Sequence, residues 1–484
     1  MIAPERTYHG ARAGAGPLLY LGGTRRAALG EWVTITAPGQ PARRGQVIDV
    51  GERVTVIQVL EETLGLPPSN ADITLAGETA TTPVGRELLG RALSGVGQPL
   101  DGLPAPIGVQ RRPIWGAPIN PTRRLPPADF IETGISAIDG MNTLVRGQKL
   151  PVFSGPGLPA LDLAAQIVET ARAPRGEPFA VVFAAIGITE RETGSFLRRF
   201  ERTATMERSI LFLNQTSDPT IERLLTPRVA LTAAEYLAYD CGLHVLVVLA
   251  DITHYCEALR EIATAREEIP GRRGYPGYMY SDLATLFERA GVVQGAEGSV
   301  TQLPILTMPD DDITHPIPDL TGYITEGQVV LSRDLHRRGI FPPVDVLPSL
   351  SRLMNAGIGE GKTRPEHRKW ADQLYQLYAR GRDARLMAAI VGEEGLGGDD
   401  RRALEFADRF EREFVHQGAV GRSIQETITL GWRLMESLPR TDLPRIDDET
   451  WEKHTSPGGE AAGAAGAAGA AEGQGGSVAG DGAR

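Results

Sequence analysis

Four runs in the middle of this chain, 149–154, 179–186, 210–213 and 244–250, are apolar almost without interruption. A strand with one wet face alternates polar and apolar residues. Runs like these need apolar neighbours on both faces, the condition inside a parallel sheet covered by helices. Between the first two, Leu161, Ala164, Val168 and Ala171 recur at i, i+3, i+7 and i+10, the spacing of one helix face. Strand and helix in alternation predict an α/β domain built on a parallel sheet.

The flanks have other textures. Residues 1–76 carry short alternating pieces (Val33 and Ile35 between threonines, Val54 and Val56 between polar neighbours) with closely spaced glycines, which predicts a small antiparallel β-barrel or sandwich. From Pro99 to Pro127 eight prolines predict an extended connection lying over a surface. Beyond Pro365, stripes of Trp370, Leu374 and Leu377 and of Phe406, Phe410 and Phe414 predict amphipathic helices. The last 29 residues take 20 from Gly and Ala and read as disordered. The expected organisation is therefore 1–76 barrel, 77–364 α/β domain, 365–455 helical domain and 456–484 tail, consistent with about three domains for 484 residues.

Charge and composition exclude several classes. A net charge of −11 opposes binding to nucleic-acid backbones, so no nucleic-acid partner is expected. Two cysteines, Cys241 and Cys256, make no disulfide framework or zinc module, and no histidine spacing suggests a metal site. The N-terminus lacks a secretory apolar run, and no stretch reaches the length of a membrane helix, so a soluble chain in a reducing compartment is expected. Only Lys149, Lys362, Lys369 and Lys453 are lysines, against 46 arginines. Chemistry that needs a lysine has four candidates.

The first apolar run leads into Gly155-Pro-Gly157-Leu-Pro-Ala160-Leu161-Asp162 and then the helical stretch. This is the setting of a phosphate-binding G-x-x-x-x-G-K-[ST] loop, in which backbone N–H groups cradle phosphates, a lysine neutralises them and a hydroxyl holds Mg²⁺. Here Ala160 stands at the second glycine, Leu161 at the lysine and Asp162 at the hydroxyl, while Pro156 and Pro159 remove two donors. The loop is read as degenerate, without catalysis of its own. A second near-match, 356–363 with Lys362 and Thr363, has no evident buried strand before it and reads as a Gly-rich hinge. Asp251, closing the run 244–250, reads equally as a magnesium carboxylate or a helix cap, and Glu190 and Glu192 read as a solvated helix start.

Four segments, FIETGISAIDGMNTLVRGQKLPVFSGPGLP at 130–159, IPGRRGYPGYMYSDL at 269–283, DDDITHPIPDLTGYITEGQ at 310–328 and LPSLSRLMN at 347–355, resemble the B subunits of the A/V-type rotary ATPases, and the likeness extends over residues 1 to about 455. The resemblance implies an N-terminal β-barrel, a RecA-like central domain and a C-terminal helical domain. It implies a non-catalytic, regulatory subunit alternating with three catalytic A subunits around a central shaft, with peripheral stalk subunits in the same complex. Such a chain has no cofactor of its own. Mg-ATP or ADP is held by the A subunit at the shared interface, and the complex couples ATP synthesis or hydrolysis to ion transport from the cytoplasmic side of a membrane. It also implies that Arg352 is an arginine finger reaching the partner's nucleotide, with Tyr323 lining the same pocket. A guanidinium suits that role because it is permanently charged and its planar fork can bridge phosphate oxygens. Two rivals are an autonomous hexameric P-loop motor with an atypical loop, and an RNA-gripping translocase.

Overall fold

The computed structural model describes residues 5–23, 27–61, 63–201 and 204–455. The tail read as disordered lies outside the described residues. The N-terminal part is a seven-stranded antiparallel sheet in the order Arg6–His9, Asp72–Thr79, Glu31–Thr36, Arg43–Val50, Val54–Val59, Leu18–Gly22, Ala13–Ala15. Its end strands are not paired with each other, so the barrel stays open. Val33 and Ile35 point inward as their alternation predicts, with Ile57, Ile73 and Leu75 beside them. In Val54–Val59 the inward positions include Thr55 and Ile57, whereas Val54 and Val56 are only half-buried. Alternation alone leaves the phase of a short strand open, and here the neighbouring strands set it.

An eight-strand path forms the central sheet: Val344–Ser351, Gly327–Leu331, Val152–Ser154, Ser299–Thr307, His244–Ala250, Phe179–Ile188, Ser209–Gln215, Ala92–Ser94. All neighbours are parallel except the first pair. The apolar runs are continuous because alternate side chains enter two separate cores. Val181, Phe183 and Ala185 join one cluster; Val182, Ala184 and Ile186 join the other. The run at 149–154 is strand proper only from Val152, with Lys149 contributing a single bridge to Gln302. Ser299–Thr307 and Gly327–Leu331 are further strands that the apolar runs do not announce. Against the expectation that no buried strand leads into 356–363, the half-buried edge strand Val344–Ser351 precedes it. Pro348 is tolerated there because an edge strand has one row of unpaired backbone groups.

The Pro-rich stretch is an extended connection with two short strands, Gln110–Pro113 paired to Thr81–Val84, and Arg124–Leu125 paired to Gly291–Val293. Arg44 fastens the open barrel to the central domain, its guanidinium 2.6 Å from Glu61 and 2.8 Å from Glu222. The C-terminal part consists of His367–Val391, Gly398–Arg409 continued by the wide turn Phe410–Val415, Ile424–Glu436 and Asp448–Thr455. Both predicted stripes are inside. Phe406, Phe410 and Phe414 stack with centroids 6.0 and 4.8 Å apart, and Trp370 packs on Phe414 at 5.9 Å. These rings share one apolar cluster with Ile135, Ala137 and Leu144 of the central domain, so the two parts have a common core.

Candidate functional site

Val152–Ser154, residues 155–159 and the helix Ala160–Thr170 reproduce strand, turn and helix in the predicted order. Gly157 has φ +78°, a conformation that glycine adopts without strain. Two of the loop's remaining amides are used internally: Leu158 N donates to Gly155 O at 3.1 Å and Ala160 N to Leu158 O at 2.8 Å. With Pro156 and Pro159 supplying none, few N–H groups are left for an anion. Leu161 packs its side chain on the core, and Asp162 is exposed in the first helical turn. There a carboxylate complements the helix dipole and repels phosphate.

Two further segments, carrying Asp311 and Arg333, meet at the loop. Arg333 Nη2 donates to Pro156 O at 2.9 Å, and its Nε and Nη2 grip both oxygens of Asp311 at 2.9 Å. That guanidinium holds Asp311 below the usual carboxylate range. A Cβ placed on Gly155 would lie 1.9 Å from Asp311 Oδ1, so the carboxylate is seated directly against the loop. The contact joins residues far apart in sequence, and only the acidic run at 310–312 hinted at it.

Asp251 is a cap. Its carboxylate accepts from Thr253 N at 2.7 Å, from Thr307 N at 3.2 Å and from Thr307 Oγ1 at 2.5 Å. Glu192 accepts from Thr189 N and Oγ1 at 2.7 and 2.8 Å, the reciprocal arrangement of a capping box, and Glu190 is exposed beside it. Lys362 Nζ donates to Ala356 O at 2.5 Å and Thr363 N to Gly359 O at 2.9 Å, so this segment folds on itself as a turn. Lys149 is buried between Glu288 and Glu326, at 2.8 and 2.9 Å.

Arg352 follows the last residue of the edge strand and is exposed. Its N donates to Glu326 O at 2.9 Å, and its Nη1 makes one long bond of 3.4 Å to Thr325 O. Among the described residues it has no carboxylate partner, so its charge is available to a ligand. Tyr323, 73% exposed, stands two residues before Thr325 at the end of Pro316–Ile324. The structure thus gathers Arg352 and the Tyr323 helix end at one place. That place is not the chain's own loop. Ser351 pairs with Gly327 at the start of a strand parallel to Val152–Ser154, and Glu326 bonds Lys149, whereas Gly155 is at the strand's far end. Six residues of extended chain put the two ends roughly 20 Å apart. The Arg352 guanidinium therefore stands at the end of the sheet remote from Gly155.

An open barrel, a mostly parallel sheet with a degenerate phosphate-loop-type turn and a set of C-terminal helices define a chain of the nucleotide-binding fold class. Residues 134–351 match the ATP synthase alpha/beta family, nucleotide-binding domain; residues 13–73 match that family's beta-barrel domain, and residues 356–455 match the C-terminal domain of V and A type ATP synthase. A V-type ATP synthase beta chain from an Anaeromyxobacter species is 62% identical over 91% of this chain and 96% of its own length. Its counterpart from Thermus thermophilus is 57% identical over 92% and 95%. A solved ATP synthase subunit, NeqB from Nanoarcheaum equitans, is 38% identical and superposes with a TM-score of 0.70, covering 88% of this chain and all of that one. The chain belongs to the V-type ATP synthase beta chains, the B subunits of V/A-type ATP synthases. Among the described residues no helix is long and apolar enough to cross a membrane.

Proposed function

We propose that this chain is a non-catalytic, regulatory B subunit that lends Arg352 to ATP held by a neighbouring catalytic A subunit. It carries no cofactor of its own, and Mg-ATP or ADP sits in the partner's loop. Three copies alternate with three A subunits around a central shaft, with peripheral stalk subunits outside, and the assembly couples ATP synthesis or hydrolysis to ion transport from the cytoplasmic side of the membrane. One observation carries this reading: the exposed Arg352 guanidinium, without a carboxylate partner among the described residues, stands at the opposite end of the sheet from the chain's own loop. The loop supports it too, since an alkyl group fills the lysine position and Asp311 is packed on Gly155.

The test is Arg352→Ala in the assembled complex. ATP turnover is expected to fall by about 10³–10⁵, or about 4–7 kcal/mol of barrier, with the hexamer intact. Arg352→Lys is expected to rescue poorly, because an ammonium is a point charge without the planar fork. Turnover of Arg352→Ala within about threefold of wild type refutes the assignment. Steady ATP hydrolysis by the isolated chain would favour an autonomous motor instead.

A further inference from the structure

We propose that Lys149 is a positioning residue for Arg352, acting through the Thr325–Glu326 pair; the proposal rests on the arginine-finger reading above. Both contacts that hold Arg352 end on this pair: its N on Glu326 O and its Nη1 on Thr325 O. The pair is in turn fastened to Lys149 at three points. Lys149 N donates to Glu326 Oε2 at 2.8 Å, Glu326 N donates to Lys149 O at 3.1 Å, and Lys149 Nζ lies 2.9 Å from Glu326 Oε1. Gln148 adds a neighbouring tie, with its Nε2 3.1 Å from Glu326 O and 3.0 Å from Ser351 Oγ.

The ammonium is 4% exposed and also bridges Glu288 at 2.8 Å. Its removal leaves the carboxylates of Glu288, 38% exposed, and Glu326 without the cation that sits between them, and their mutual repulsion, moderated by water, pushes them apart. Glu288 keeps Arg124 at 3.0 Å. Glu326, 27% exposed, has no second cation among the described ion pairs; with the ammonium gone its carboxylate keeps only the 2.8 Å bond from the backbone N of residue 149 and is the one that shifts toward water. That movement drags the two carbonyls on which Arg352 rests. Lys149 cannot serve its own chain's phosphate loop, because it occupies the opposite end of the strand that leads there. Catalysis by a charged fork is steep in position: a displacement near 1 Å costs on the order of 10²-fold in rate.

The experiment measures kcat and KM for ATP in the complex assembled with its catalytic partner chains. Lys149→Met is expected to lower kcat by about 10- to 100-fold with KM within about twofold. Lys149→Arg, which keeps a cation between the two glutamates, is expected to stay within about fivefold of wild type. Because Lys149 acts only through Arg352, the double variant with Arg352→Ala is expected to be no slower than Arg352→Ala alone. Wild-type kcat in Lys149→Met overturns the proposal, and so does a double variant slower than Arg352→Ala by the full factor of Lys149→Met. A fast Arg352→Ala fails the finger reading and the proposal together, whereas a slow Arg352→Ala with a fast Lys149→Met fails the proposal alone. Where Lys149→Met does not assemble, the isosteric Glu326→Gln replaces it, with a kcat loss of about three- to tenfold expected and an unchanged kcat overturning the idea.

Discussion

Gly431 stands inside the helix Ile424–Glu436, where glycine ordinarily weakens a helix by about 1 kcal/mol relative to alanine. Propensity alone therefore predicts that Gly431→Ala stabilises. The packing predicts the opposite. A Cβ at this position would lie 2.2 Å from Trp370 Cζ2, 2.6 Å from Cε2 and 2.8 Å from Nε1, against ordinary contacts of about 3.5–4 Å. The indole would have to retreat by more than an ångström, and it has nowhere to go. It is fully buried, its Cη2 is 3.0 Å from a Cβ built on Gly140, and His367 and Phe414 flank it at 5.5 and 5.9 Å. Overpacking of this kind costs typically 1–3 kcal/mol, and a clash with a rigid, boxed ring belongs at the upper end. Subtracting the propensity gain leaves a net loss of about 1–2 kcal/mol. The assay is urea unfolding of the full chain, in which the transition midpoint should fall without a change of slope. In a Trp370→Phe background, where the smaller ring vacates the space, the same substitution should cost nearly nothing, giving a coupling of about 1 kcal/mol or more. A midpoint for Gly431→Ala equal to or above wild type, or an equal cost in both backgrounds, refutes the reasoning.

Two further outcomes are expected. Burial at the seam between barrel and central domain pushes Glu222 up to about 7, with Arg44 opposing. A raised carboxyl binds its proton more tightly folded than unfolded, so its contribution is full below the unfolded value near 4.5 and is lost as pH rises to about 7. Glu222→Gln should flatten the thermal midpoint between about pH 4.5 and about pH 7; an unchanged pH slope would show that this group is not responsible. The loop gives the other. Leu161→Lys with Asp162→Thr should bind no fluorescent ATP analogue while Asp311 remains against Gly155, and saturable binding by that double variant contradicts the blocking role of Asp311.

What the sequence discloses depends on how local the cause is. His244–Ala250 can be read residue for residue, since a strand buried on both faces must be apolar throughout. Ser299–Thr307 cannot, because Thr301, Gln302 and Pro304 break the run. Those polar groups are tolerated in a central strand through partners remote in sequence: Gly147 N donates to Thr301 Oγ1 at 2.8 Å, and Gln302 Nε2 donates to Leu286 O at 3.0 Å. The helical stripes are legible for the same reason as His244–Ala250, since Trp370, Leu374 and Leu377 bury one face. At the site, the deficits of the loop can be read in order from Ala160 to Asp162. Arg352 stands out through the resemblance of LPSLSRLMN and not through its chemistry, for the chain has 46 arginines. Asp311, Arg333 and the Lys149–Glu326 clamp escape notice because each is a long-range contact that no periodicity encodes.

The seating of Asp311 on Gly155 also bears on how such a chain can change over generations. Placing a lysine at position 161 would by itself put an ammonium where an alkyl group packs on the core, and vacating position 311 would by itself leave Arg333 without its counter-charge. Neither first step creates a phosphate site by itself, so a route to an independent nucleotide site at this loop needs both changes together.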